Sequence, residues 1–263
     1  MSAMNEIEAP LVDVRREGQV LTLTMNRPAQ FNALSEALMD ALEAELRAAG
    51  ADESVRVVVI AASGKAFCAG HDLREMRAEP GLDYYRTLFA RCTQLMMTIQ
   101  RLPQPVIARV QGIATAAGCQ LVAMCDLAVA ADSARFAVSG VNLGLFCSTP
   151  SVALSRNVPR KQAFEMLVTG EFIDAATALQ RGLVNRVVPA DGLDAEVGAL
   201  AAAICAKPRE AIAIGKDLFY RQGEMGIEGA YQLAGNTMAC NMMEASALEG
   251  VQAFIDKRRP NWG

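Results

Sequence analysis

The chain has 263 residues, 52% hydrophobic and 21% charged, enough for one large buried core and too apolar for a disordered chain. A net charge of −4 without any basic run argues against a broad nucleic-acid-binding face. One histidine, His71, excludes zinc sites built from two or three histidines, and seven cysteines without CxxC pairing offer no replacement.

In chain order, residues 11–15 alternate, Glu17-Gly18 turns, and residues 20–25 (VLTLTM) alternate again, which predicts a β-hairpin. Asn26-Arg27-Pro28 breaks the pattern. Phe31-Asn32-Ala33-Leu34 then leads into a helix capped by Ser35, with Leu38, Leu42 and Leu46 at helical spacing up to Gly50. Residues 55–62 (VRVVVIAA) form a continuous β-branched run, the pattern of a strand buried on both faces of a parallel sheet. A loop containing Gly64 and Gly70 follows, and Asp72 is placed to cap the next helix. Residues 105–110 predict another strand, which stops at Gln111-Gly112. Small residues (114–118) then run into a helix with Cys119, Val122, Ala123 and Cys125 at apolar positions. Farther on, residues 160–169 are amphipathic, 183–188 form a short strand, and 193–205, 209–220, 227–243 and 246–257 predict helices. The boundary falls near Asp191, giving a core of residues 1–190 and a helical C-terminal region of 191–263.

Two strand ends, at residues 63–71 and 111–118, each pass through small residues into a helix start. Such ends leave backbone N–H groups without intrahelical partners, with the positive end of the helix dipole behind them. Either loop alone serves close packing as readily as anion binding. Two in this order offer a pair of convergent donors, which a developing enolate or tetrahedral oxyanion requires. Neither GxxxxGK[ST] nor GxGxxG occurs, so nucleotide chemistry of those kinds has no support.

An ordered set of motifs makes the chain resemble the crotonase (enoyl-CoA hydratase/isomerase) superfamily over nearly its whole length. They are Asn26-Arg27-Pro28 with Asn32-Ala33-Leu34, residues 65–73 (KAFCAGHDL), Ala117-Gly118-Cys119 with Cys125-Asp126, Gly182-Leu183-Val184 with Val187-Val188, and residues 254–260. The resemblance implies an α/β fold, a spiral of ββα turns with a helical C-terminal region that forms trimers or dimers of trimers. It further implies an acyl-CoA or enoyl-CoA ligand whose thioester carbonyl lies between the backbone N–H groups of His71 and Ala117. Coenzyme A enters as part of the substrate, and no separate cofactor is implied. Arg27, Phe31, Ala33, Lys65, Ala69, Gly70, Asp72, Leu73, Gly118 and Asn142 are then candidates for substrate or CoA contact. Phe254 and Lys257 would lie near the adenine and phosphates, often of a neighbouring subunit, although a solvated basic helix end explains them nearly as well.

The departures bear on the chemistry. By resemblance, hydratases carry one glutamate where this chain has Gln120 and another where it has Gly140; some isomerases and dehalogenases use an aspartate where it has Ser148. An amide does not carry a proton at neutral pH, and glycine offers no group at all. His71 has suitable side-chain chemistry, but its backbone N–H is the role that the resemblance gives it. Asp72 fits a helix cap, Cys119 a small core thiol and Thr149 a loop cap, while Asn142, Cys147 and Ser148 remain candidates for the pocket wall. Two functions stay open: an enzyme on acyl-CoA of enoyl-CoA hydratase type (or an isomerase or thioesterase), and a non-catalytic acyl-CoA binder or regulator. RNA binding is disfavoured by the acidic balance. The scattered cysteines suit a reducing compartment, the N-terminal residues lack an apolar signal core, and no run is long enough to span a bilayer. These features predict a cytoplasmic protein with no membrane partner.

Overall fold

A computed structural model describes residues 9–262; the reading of the first eight residues lies outside the described residues. The chain opens with the expected hairpin, β1 (Val12–Glu17) and β2 (Val20–Met25), followed by α1 (Glu36–Ala51) and β3 (Val57–Ala62). Ser35 caps α1 by accepting the Leu38 N–H. Next come β4 (Ala66–Cys68), α2 (Leu73–Ala78), α3 (Leu82–Arg101), β5 (Val106–Val110), β6 (Ile113–Thr115) and α4 (Ala117–Met124). The chain continues through β7 (Leu127–Ala131), β8 (Arg135–Ala137), α5 (Ser148–Asn157), α6 (Arg160–Thr169), β9 (Ile173–Asp174), α7 (Ala175–Gln180) and β10 (Arg186–Val188). It closes with α8 (Leu193–Cys205), α9 (Arg209–Gln222), α10 (Ile227–Asn241) and α11 (Ala245–Ile255).

The strands form two sheets, one in the order β1-β2-β3-β5-β7-β10 and a smaller one in the order β4-β6-β8-β9. Each turn of the chain sends one strand to the large sheet and the next to the small one. β3, β5 and β7 stack in parallel, as do β4, β6 and β8, and helices return the chain between turns. This is the expected spiral of ββα turns. Strands β4 and β6 of the small sheet and the long helix α3 are absent from the sequence expectations, whereas β8 matches a strand expected at residues 135–137.

Burial on both faces explains the apolar run of β3. Val58 and Ile60 face a core shared with Leu38, Leu42 and Leu46 of α1 and Leu88, Leu95 and Ile99 of α3. Val57 and Val59 face the opposite way, onto Leu193, Val197 and Ala201 of α8. The sheet core thus extends past the expected boundary at Asp191 as far as α8. Helix α9 is fastened to the core by a buried network centred on Asp126. Lys216 donates to that carboxylate at 2.6 Å and to the carbonyls of Ile99 and Gln104 at 2.9 Å each. The Tyr220 hydroxyl and the Val106 N–H donate to the same carboxylate at 2.8 and 2.6 Å. Satisfying every polar member is what makes such a buried pair tolerable.

Candidate functional site

The two strand-end loops meet. Strand β4 runs into Ala69-Gly70-His71, and Gly70 sits at φ +91°, where a side chain is strained. A Cβ on Gly70 would lie 3.0 Å from the Ala116 Cβ and 3.4 Å from the Ala117 nitrogen, which measures how closely the loops approach. The segment before α1 clamps this loop from outside. Leu34 donates to the Gly70 carbonyl at 2.8 Å and accepts from the Asp72 N–H at 3.2 Å, two bonds that flank His71. Peptide N–H directions alternate along an extended strand, so the His71 N–H is turned away from Leu34.

At the end of β6, Ala116 has φ 51° and ψ −119°, a conformation that favours glycine. Its own N–H donates to the Ala137 carbonyl at 3.0 Å, and its carbonyl receives the Gln120 N–H at 3.0 Å as α4 begins. The sharp bend makes Ala117 the first residue of the helix, where an N–H has no intrahelical acceptor. Among the described residues, neither the His71 nor the Ala117 N–H donates to a protein acceptor. The positive φ thus falls on Ala116, a residue that no sequence signal singled out.

Both loops border a cavity of about 180 Å³ whose other walls include Met76, Phe89, Leu143, Phe146 and Pro150. The His71 ring stands edge-on to Phe89, with centroids 5.5 Å apart and planes at 71°. Both ring nitrogens are buried without a hydrogen-bond partner. Burial, opposed by the Leu34 backbone, lowers the imidazole pKa to about 4, so the ring is neutral at physiological pH.

The opposite wall is built from a 3₁₀ turn, Ser139–Leu143, and the start of α5. Gly140 is buried, and its N–H donates to the Cys147 Sγ at 3.3 Å. A Cβ on Gly140 would come within 2.5 Å of the Leu145 carbonyl oxygen and 2.7 Å of that sulfur. A side chain at 140 is therefore blocked, and the expectation that the position only lacks its carboxylate is corrected: the returning chain fills the space. Burial raises the Cys147 thiol pKa, opposed by the Gly140 N–H, and raises that of fully buried Cys119 to about 12, so Cys119 is the inert core thiol expected. Ser139 and Thr115 share a hydroxyl hydrogen bond of 2.8 Å across the floor. Ser148 lines the cavity at the start of α5, its hydroxyl donating to the Phe146 carbonyl at 3.3 Å.

The structure gathers Ala69, His71, Leu73, Ala117, Gly140 and Ser148 at the cavity. Several other candidates are engaged elsewhere. Arg27 donates to the Ala33 carbonyl at 2.7 Å and to Asp72 at 3.1 Å, while Asp72 also caps α2 through the Arg74 N–H. Asn32 reinforces this corner, donating to the Ser63 and Ala66 carbonyls at 2.8 Å each and accepting the Arg27 N–H at 2.9 Å. A Cβ on Gly118 would lie 2.1 Å from the Cys68 carbonyl oxygen, so this glycine lets α4 press onto β4; a ligand contact is corrected to packing. The Asn142 amide is directed to the Gly170 carbonyl at 3.3 Å, away from the cavity wall it was expected to join. Gln120 is buried on α4 outside the cavity lining, its Oε1 without a partner. Phe31 and Lys65 are exposed, as are Phe254 and Lys257 near the C-terminus, and none of the four borders the cavity. Among the described residues no His, Cys, Asp and Glu cluster is arranged to hold a metal, and no helix is long and apolar enough to cross a membrane.

Residues 15–263 match the family model described as enoyl-CoA hydratase/isomerase. Enoyl-CoA hydratase domain-containing protein 3, mitochondrial, of Xenopus laevis is 47% identical over 253 residues, covering 96% of this chain and 86% of the relative. The 2,3-dehydroadipyl-CoA hydratase of Escherichia coli is 35% identical over 95% of this chain and 97% of its own length. Among solved structures, an enoyl-CoA hydratase of Mycobacterium smegmatis superposes with a TM-score of 0.95 at 67% identity, covering 97% of this chain and 99% of its own. The human enoyl Coenzyme A hydratase domain-containing protein 3 superposes with a TM-score of 0.93 at 43% identity, covering 96% of this chain and all (100%) of its own. The relatives of this type from frog, rat and human are named as mitochondrial, and that finding overturns the cytoplasmic expectation. Scattered reduced cysteines suit any reducing compartment, so they could not make this distinction.

Proposed function

The chain belongs to the enoyl-CoA hydratase/isomerase family and is enoyl-CoA hydratase-like, and on that premise we propose that it binds acyl-CoA thioesters with the carbonyl oxygen between the His71 and Ala117 N–H groups. The observation that carries this reading is the pair of unpaired backbone donors meeting at one edge of an apolar cavity. Donors fixed before the ligand arrives need no reorganisation as charge develops on the oxygen, which favours an enolate over the ground-state thioester. The cavity walls of Leu73, Met76, Phe89, Leu143 and Phe146 suit an uncharged acyl chain. Coenzyme A is handled as part of the substrate.

The hydratase positions at Gln120 and Gly140 supply no proton carrier, so the same loops serve a second reading, an acyl-CoA binder with little or no turnover. Exposed Phe219, Tyr231, Met238 and Phe254 on α9, α10 and α11 support self-association, as a trimer or a dimer of trimers, through the C-terminal helices. In such an assembly Phe254 and Lys257 would serve a neighbouring copy's CoA.

Calorimetric titration with butyryl-CoA and crotonyl-CoA, alongside a hydration assay, tests the reading. Both thioesters are expected to bind, with crotonyl-CoA hydration about 10²–10⁴-fold slower than in relatives carrying both carboxylates. A complex whose carbonyl points away from His71 and Ala117 would overturn the oxyanion reading. Binding without turnover on any thioester would favour the second one.

A further inference from the structure

We propose that the imidazole of His71 is the cavity's proton carrier, moving a proton to and from the carbon beside the thioester carbonyl. This rests on the acyl-CoA reading above and adds a side-chain role to a residue otherwise cast only as a backbone donor.

Among the described residues, His71 and Cys147 are the side chains lining the cavity that exchange protons in the ordinary pH range. The thiol is engaged by the Gly140 N–H and is held protonated by burial. Neither imidazole nitrogen makes a hydrogen bond within the protein, although the Leu34 backbone acts to raise its pKa against the effect of burial, and the ring stands edge-on to Phe89. The carboxylate of the next residue, Asp72, is paired with Arg27 at 3.1 Å. A buried imidazole with both nitrogens unpaired is costly, and His71 is among the residues lining the cavity, where a bound thioester would supply the missing partner.

Covalent geometry adds the second argument. If the His71 N–H holds the carbonyl oxygen, its ring is tethered a few bonds from that donor. The α-carbon, in turn, is attached to the same carbonyl carbon. The ring nitrogen's lone pair takes the α-proton, and the electrons of the broken C–H bond form the C=C bond of an enolate. The oxygen gains the negative charge, facing the His71 and Ala117 N–H groups. A neutral base leaves an imidazolium beside the anion, so the charges created attract each other. Return of the proton to the α-carbon gives exchange. Its delivery to the γ-carbon of a 3-enoyl thioester gives the 2-enoyl isomer, with no water, oxidant or reductant consumed.

Substitution of the side chain leaves the backbone donor in place, which separates the two roles. The test compares the parent with His71→Gln and His71→Asn. It measures butyryl-CoA affinity, deuterium uptake at its α-carbon in D₂O, and isomerisation of a 3-enoyl-CoA to its conjugated isomer. The expected result is that the parent catalyses exchange or isomerisation, and that the variants bind butyryl-CoA within about threefold of the parent yet lose about 10²-fold or more in rate. Variants that bind and keep the parental rate would overturn the proposal, and so would a parent that binds butyryl-CoA but catalyses neither reaction. A parent that does not bind butyryl-CoA would instead remove the acyl-CoA reading on which the proposal stands.

Discussion

The two walls of the cavity are built on different principles. One is a meeting of two bent loops: Gly70 at φ +91° and Ala116 at φ 51° bring together the segments that carry the His71 and Ala117 N–H groups, and the Leu34 bridge holds the first loop. The other is a returning chain that fills its own interior, with the Leu145 carbonyl and the Cys147 sulfur where a side chain from Gly140 would go. The first wall carries two backbone N–H groups without a protein acceptor among the described residues. In the second, packed main chain occupies the space beside Gly140. The roles proposed above for binding and for proton transfer thus rest on different features, main-chain geometry for one and a single side chain for the other.

The largest effect should come from forcing a carboxylate back onto the filled wall. Gly140→Glu is expected to lower stability by about 3 kcal/mol or more, since its Cβ overpacks against main chain and its carboxylate is buried without a cation. Denaturant melts of the variant against the parent measure this. The paired change Gln120→Glu with Gly140→Glu should likewise give no gain in hydration. A stable Gly140→Glu variant that hydrates crotonyl-CoA faster would show that residues 143–147 yield easily and would erase the contrast between the walls.

An intermediate effect concerns pH. Folded His71 titrates at about 4 and an unfolded histidine near its model value of 6.5, so between these values the unfolded chain binds more protons. Its neutral burial is therefore fully favourable above about pH 6.5 and is lost as pH falls toward about 4, amounting to about 3 kcal/mol across that window. The fall in stability over this range should be shallower in His71→Gln than in the parent, measured by melts at several pH values. Parallel slopes would place the imidazole in water and remove it from the wall.

The smallest effect sharpens the description of the first wall. Ala116→Gly relieves a conformation costly for alanine but adds chain entropy, for a net gain of up to about 1 kcal/mol. The Ala117 N–H is unaltered, so butyryl-CoA affinity should stay within about twofold of the parent. A clear loss of stability would mean that the Ala116 methyl packs more strongly than its backbone is strained.

Much of this architecture is written locally. The unbroken apolar run of β3 announced a strand covered on both faces, Ser35 and Asp72 announced helix starts, and the small residues before α4 announced a tight strand-to-helix bend. The motif order, read as a resemblance, carried the family, since side-chain identity is what a sequence states directly. Strands β4 and β6 of the small sheet escaped because three residues carry too little periodicity, and their pairing is fixed by the turns stacked above and below. Tertiary structure alone decided that Arg27 and Asp72 hold each other, that Asn142 turns to Gly170, and that Gly118 serves packing. It also decided that Gly140 is enclosed and that the strain sits on Ala116. The physical reason is common to all five: each depends on what stands opposite a residue across a gap of a few ångströms, and partners distant in sequence determine that.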